Sequence, residues 1–223
     1  SMSDLFHEAV PFEFVDKVFA VMALTPRHTY QVLTKRPDRM AEYFQRGKAK
    51  NTVMNKFWVD AAELELKVEE LKCLWLWTIC PEILPNVWMG TSIENQKAAD
   101  ERIPELLKVP AAVRFLSCEP LLGAINLRKW LMIQTDLDGN TRGFGYLHWV
   151  IAGGESGHGA QPVHPDWVRS LRDQCVEAGV PFFFKQWGEF HPSMLLNWPK
   201  IKALEINIDG RWMWYPQNGN TIE

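Results

Sequence analysis

One phrase of residues recurs along this chain and constrains its fold more than any other feature. It is a short apolar run that ends in glycine or in polar and charged side chains. Residues 148–157, HWVIAGGESG, give the clearest copy. The run at 149–152 is apolar without alternation, the pattern of a strand buried on both faces, as in parallel sheets. Gly153 and Gly154 then let the backbone turn and approach a neighbour closely, and they deliver Glu155 and Ser156 to the strand's carboxyl end. In barrels and open α/β sheets, ligands bind along that edge.

Other copies of the phrase are spread through the sequence. The run at 30–33 ends in Thr34, Lys35 and Arg36, and the run at 87–89 ends in Gly90, Thr91 and Ser92. Residues 113–116 lead to Ser117, Cys118 and Glu119, and 180–184 lead to Lys185, Gln186 and Trp187. Residues 1–5 read as the tail of a further strand, with Asp4 and His7 just past it. Helical patterns lie between the copies. Phe14, Val15, Val18, Phe19 and Met22 fall at helical spacing, Pro37 opens a helix carrying Met40, Tyr43 and Phe44, and Pro165 opens one with Val168, Leu171 and Cys175 facing inward. Residues 91–94, TSIE, match a capping box for a helix running through Leu107, and His164 is placed to cap the helix that Pro165 begins.

Strands alternating with helices imply parallel strands joined by right-handed crossovers. The expected fold is therefore α/β, a single barrel-like domain over 1–223, with an open doubly wound sheet as the competing architecture. Three excursions interrupt it: a helical insertion at 47–85 with Leu64, Val68, Leu71 and Trp75 on one stripe, a hairpin at 130–147 around Asp138-Gly139-Asn140, and a C-terminal hairpin at 204–223. In a barrel, the strand-end residues Asp4, Lys35, Thr91 with Ser92, Glu119, Glu155, and Lys185 with Gln186 share one mouth.

At that mouth Glu119 and Glu155 are candidates for acid–base work or for holding a ribose diol, against a structural pairing with Lys35, Arg36 or Lys185. Lys185 follows three phenylalanines, so its amine invites a phosphate or carboxylate partner. The loop 153–157 is able to form an anion-binding nest, yet it matches neither GxGxxG, nor the P-loop, nor GxSxG, which disfavours a serine hydrolase. The four cysteines, Cys73, Cys80, Cys118 and Cys175, include no CxxC pair, and His158 and His164 have no further ligand pattern, so no metal site is expected. No signal peptide or membrane-length apolar run is visible, and a cytoplasmic protein is expected. A net charge of −3 gives no whole-chain attraction to nucleic acid. Nucleic-acid binding or modification stays open through the eleven tryptophans and the cluster Arg46, Lys48 and Lys50.

These same blocks carry a resemblance. SMSDLFH at 1–7, QVLTKRP at 31–37, NVWMGTSIENQ at 86–96, RFLSCEPLLG at 114–123, HWVIAGGESG at 148–157, HPDWVRSLRDQC at 164–175 and FFFKQWGE at 182–189 resemble a phage- and prophage-associated family of unknown function. Its full-length members resemble radical-SAM barrels, with three clustered N-terminal cysteines holding a 4Fe–4S cluster. None of the four cysteines here matches that motif. The resemblance thus implies a partial TIM-type barrel missing its first strand, which carries no cluster and does not cleave S-adenosylmethionine. It also implies an adenosyl-binding mouth lined by Thr91, Ser92, Asn95, Gly153, Gly154 and Ser156. From their strand-end positions, Asp4, Lys35, Arg36 and Gln186 are the candidates to bind substrate there, and Glu119, Glu155 and Lys185 the candidates to act on it. A small nucleoside-like ligand is the expected partner. The alternatives are a nucleic-acid protein and a non-catalytic interaction module, with the oligomeric state left open.

Overall fold

A computed structural model describes residues 4–48, 83–131 and 146–191, together with the backbone of residues 205–208 and 211–214. The order is α1 (Phe12–Leu24), β1 (Tyr30–Thr34), α2 (Pro37–Lys48), β2 (Val87–Ser92), α3 (Gln96–Leu107), β3 (Val113–Cys118), the short α4 (Arg128–Leu131), β4 (Trp149–Gly153), α5 (Pro165–Glu177) and β5 (Phe182–Gln186). Two further strands, β6 (Glu205–Ile208) and β7 (Arg211–Trp214), pair antiparallel, as the tail pattern predicts. The 49–82 part of the expected insertion and the 132–145 part of the expected excursion lie outside the described residues.

Strands β1 to β5 form one all-parallel sheet in the order β1-β2-β3-β4-β5. Sequence order and spatial order coincide, so there is no point at which the winding reverses. A doubly wound sheet requires such a reversal, and these strands do not show it. Right-handed crossovers that always step in one direction put their helices on one face of the sheet. The burial pattern follows. Val32, Met89, Leu116, Val150 and Ala152 share one parity in the register and are buried with Met40 and Ala41 of α2, Ala99 and Ile103 of α3, and Leu171 and Cys175 of α5. The opposite parity carries Trp88, Phe115, Trp149 and Phe183. The Phe115 ring lies across Gly90, where a Cβ would come within 2.5 Å of it, and the Trp88 and Trp149 rings meet edge to face at 6.0 Å. Phe183 is 51% exposed on this side.

The sheet is not closed, and β1 and β5 are its edges among the described residues. The expected strand tail at the N-terminus is also absent from residue 4 onward. That stretch runs in turns, with the His7 amide donating to the Asp4 carbonyl at 3.0 Å and the Val10 amide to the His7 carbonyl at 2.9 Å. The capping box differs as well. Thr91 and Ser92 continue β2, and the cap of α3 is Asn95, whose Oδ1 accepts the Ala98 amide at 3.0 Å. Four residues with a Ser/Thr…Glu spacing fit a cap only where the chain has already left the strand, and here the ladder to Ser117 holds it. His164 does cap α5, its Nδ1 accepting the Asp166 amide.

Candidate functional site

The carboxyl ends of β1, β2, β3 and β5 surround a cleft of about 480 Å³, lined by Asp4, His7, Leu33, Thr34, Lys35, Arg36, Ser92, Ser117, Glu119 and Lys185. Parallel strands bring these ends together because each crossover returns the chain to the same edge. Residues as far apart in sequence as Asp4, Glu119 and Lys185 thus face one space.

Three ion pairs frame the cleft. On the β1 side the Asp4 carboxylate is held from all round: Thr34 Oγ1 donates to it at 2.7 Å, the Phe6 and Lys35 amides at 3.0 and 3.4 Å, and Arg36 Nη1 at 3.0 Å. Burial pushes the Asp4 carboxyl up, but these hydrogen bonds outweigh it and hold it below its ordinary value. Lys35 Nζ lies 2.9 Å from Glu94 Oε1, and Arg102 donates to Glu94 Oε2 at 2.9 Å. Glu94, read from sequence as part of a helix cap, is therefore a twice-paired anion behind the mouth. Burial raises its carboxyl, and the contacts with Lys35 and Arg102 more than reverse this, leaving it lowered.

The third pair is Lys185 with Glu119, Nζ reaching the two carboxylate oxygens at 3.0 and 3.1 Å. Gln186 Nε2 reaches Glu119 Oε1 at 3.4 Å and Ser156 Oγ at 3.1 Å. Consecutive residues of a regular strand point to opposite faces, so both could not meet one carboxylate. A bulge resolves this: Ala152 pairs with Phe184 and Gly153 with Gln186, leaving Lys185 as the extra residue and re-aiming it. Gly153 makes room opposite, since a Cβ there would stand 3.2 Å from Glu119 Oε1.

The remaining sequence candidates take other positions. Glu155 does not line the cleft; its carboxylate accepts the Gln161 amide at 2.8 Å and closes its own loop. Gly154 and Gly188 are where the loops after β4 and β5 cross. The Gly154 amide donates to the Gln186 carbonyl at 2.9 Å and the Glu189 amide to the Glu155 carbonyl at 2.8 Å. A Cβ on Gly154 would fall 1.9 Å from the Trp187 carbonyl oxygen, and one on Gly188 would fall 2.1 Å from that of Glu155. Thr91 is fully buried and donates to the Thr34 carbonyl at 2.8 Å, tying β2 to β1, while Asn95 is engaged as a helix cap. Ser117 and His7 line the cleft although the sequence pattern did not single them out as site residues. Ser117 stands two residues before Glu119 in the strand-end phrase, and strand parity alone would have found it.

A parallel α/β sheet with a charged cleft at the carboxyl ends of its strands defines the class of protein. The sequence profile of a family described as "Protein of unknown function (DUF5131)" matches residues 1–216, and the chain belongs to that family. No curated protein and no solved structure matched it in comparison. Among the described residues no helix is long and apolar enough to cross a membrane, and no group of three or more His, Cys, Asp or Glu side chains is placed to hold a metal ion.

Proposed function

We propose that the cleft binds a small, polar, nucleoside-like ligand of the S-adenosylmethionine class, on a sheet that forms most of a TIM-type barrel of a phage- and prophage-associated, radical-SAM-like kind. The observation that carries this reading is the ring of ion pairs, Arg36 with Asp4, Lys35 with Glu94 and Lys185 with Glu119, set at neighbouring strand ends round one space of nucleoside size. Pre-paired charges of both signs suit a ligand that carries both signs itself. The reversal-free strand order and the aromatic face of Trp88, Phe115 and Trp149 support the barrel, since that face would be its inside.

Glu119 and Lys185 are the pair we set against the ligand's reactive end. Ser156 and Gln186 brace that pair, and Glu155 acts on it through the loop it closes. The iron–sulfur cluster belongs, by the resemblance, to full-length relatives alone, and the described cysteines of this chain do not fit one. Cys118 and Cys175 are buried, and burial pushes both thiols up, Cys175 to about 12, so neither presents a thiolate to the mouth. No step is routed through a cluster. The nucleic-acid reading has less support: Arg46 pairs with Glu13 and lies over the Phe12 ring, and Lys50 is outside the described residues.

Isothermal titration with S-adenosylmethionine, S-adenosylhomocysteine and adenosine tests the proposal. Binding of at least one, weakened about fivefold or more in Glu119→Gln, is the expected result. Absence of heat from all three in the folded protein refutes it.

A further inference from the structure

Ser92 and Ser117 stand side by side in the β2–β3 register and line the floor of the cleft. The residues are 6% and 5% exposed, and neither hydroxyl has a protein partner among the described residues; neither Oγ is shut off from solvent, so both open onto the cleft they line. Their neighbours on the helix-facing side are engaged: Thr91 bonds the Thr34 carbonyl, and Cys118 packs in the core. Two unpartnered hydroxyls open to the cleft are free to donate to something that enters it.

The balance of donors and acceptors says what enters. The carboxylates are already supplied. Asp4 accepts from four groups, Glu94 from Lys35 and Arg102, and Glu119 from Lys185 and Gln186. The cations are not used up. Arg36 gives the Asp4 carboxylate only its Nη1, which leaves Nε and Nη2, and the ammoniums of Lys35 and Lys185, with side chains 55% and 52% exposed, each bond a single carboxylate. His7 accepts the Ala9 amide through Nδ1 at 3.1 Å, so in the neutral ring Nε2 carries the proton. Donor hydrogens are in surplus, and the chemical group that takes several donors and offers none is an oxyanion.

We infer that Ser92 and Ser117, flanked by Lys35, Arg36 and Lys185, form a seat for an oxyanion, the phosphate or carboxylate end of the ligand. This deepens the reading of the cleft given above and rests on it, since it fixes which end of a nucleoside-like ligand lies on the β2–β3 floor. A phosphate source would make the ligand a nucleotide; a carboxylate source would make it an amino-acid-bearing nucleoside.

The test is a titration series on the full chain and on the double variant Ser92→Ala/Ser117→Ala, with inorganic phosphate, methionine, adenosine 5′-monophosphate, S-adenosylhomocysteine and adenosine. Expected is a loss of about tenfold or more in the variant for the anion-bearing probes that bind, with adenosine unaffected. Serine-dependent binding of phosphate and the monophosphate identifies a phosphate seat, and of methionine and S-adenosylhomocysteine a carboxylate seat. Amide shifts of Ser92 and Ser117 in the unaltered protein give the same answer without a variant. Serine-dependent binding of phosphate or methionine with no adenosyl compound bound upholds the seat and rejects the nucleoside reading. Anionic and neutral probes weakened equally, anion binding that ignores the serines, or no binding at all overturns the seat.

Discussion

Two adjacent glycines of the same phrase should respond to the same substitution very differently, one losing stability and the other nearly unchanged. At Gly154 an added methyl would meet backbone, 1.9 Å from the Trp187 carbonyl oxygen and 2.5 Å from its carbon. Backbone cannot swing aside, so the loops after β4 and β5 have to separate. Overpacking of this kind costs about 1–3 kcal/mol. Separation also strains the Gly154–Gln186 and Glu155–Glu189 backbone bonds, each contributing about 1 kcal/mol. Stiffening the unfolded chain returns about 0.4–1 kcal/mol. Gly154→Ala is therefore expected to lose about 2–4 kcal/mol, a fall of roughly 5–15 °C in Tm for a chain of this length. At Gly153 the added methyl meets only the Glu119 side chain, at 3.2 Å or more, and a side chain can rotate. Gly153→Ala should stay within about 1 kcal/mol of the parent, while disturbing the Glu119–Lys185 pair and so weakening ligand. Urea unfolding of both variants, followed by circular dichroism with m unchanged, supplies the comparison. Equal stabilities, or Gly153→Ala as the weaker fold, would show that the loop crossing is not rigid and that the reasoning is wrong.

Further outcomes follow from the same contacts. Asp4 and Glu94 have carboxyls held below their ordinary values of 3.8 and 4.5, so each contributes stability that is fully present above those values and is lost as pH falls through the lowered ones. Thermal melts should thus decline below about pH 4, and less steeply in Asp4→Asn and Glu94→Gln, whose Tm should start lower at pH 7; parallel curves would refute this. Cys118 and Cys175 should resist alkylation in the native protein and react in urea, as read by peptide mass spectrometry, and rapid native labelling of either contradicts their placement. Arg114 is 2% exposed and gives Nε and Nη2 to the Val109 carbonyl at 2.9 and 2.6 Å, so Arg114→Met should cost about 2 kcal/mol in urea unfolding without altering ligand affinity.

The sheet was legible because buried parallel strands are short apolar runs with punctuated ends, and 30–33, 87–89, 113–116 and 149–152 each have that form. Their convergence at one edge followed from alternation with helices alone. What stayed hidden depended on register and direction. Nothing in FFFKQ marks the bulge that turns both Lys185 and Gln186 toward Glu119. Glu94 satisfies a local capping pattern, and only the ladder between Ser92 and Ser117 shows that the strand has not yet ended there. Glu155 looked equal to Glu119 because both end a strand. Two residues of extra loop were enough to take its carboxylate to the Gln161 amide instead.

The Asp4 carboxylate has an implication for how the mouth behaves over time. It grips Thr34, Lys35 and Arg36 on one side and the Phe6 amide on the other, so the segment around residues 4–10 is clasped to the strand that presents the cations. Occupancy and clasping are then thermodynamically reciprocal: a guest that binds better to the clasped mouth shifts the arm toward its latched state, and whatever frees the arm loosens that guest by the same factor. Hydrogen exchange at the Phe6 amide, whose residue does not itself line the cleft, becomes a reporter of it.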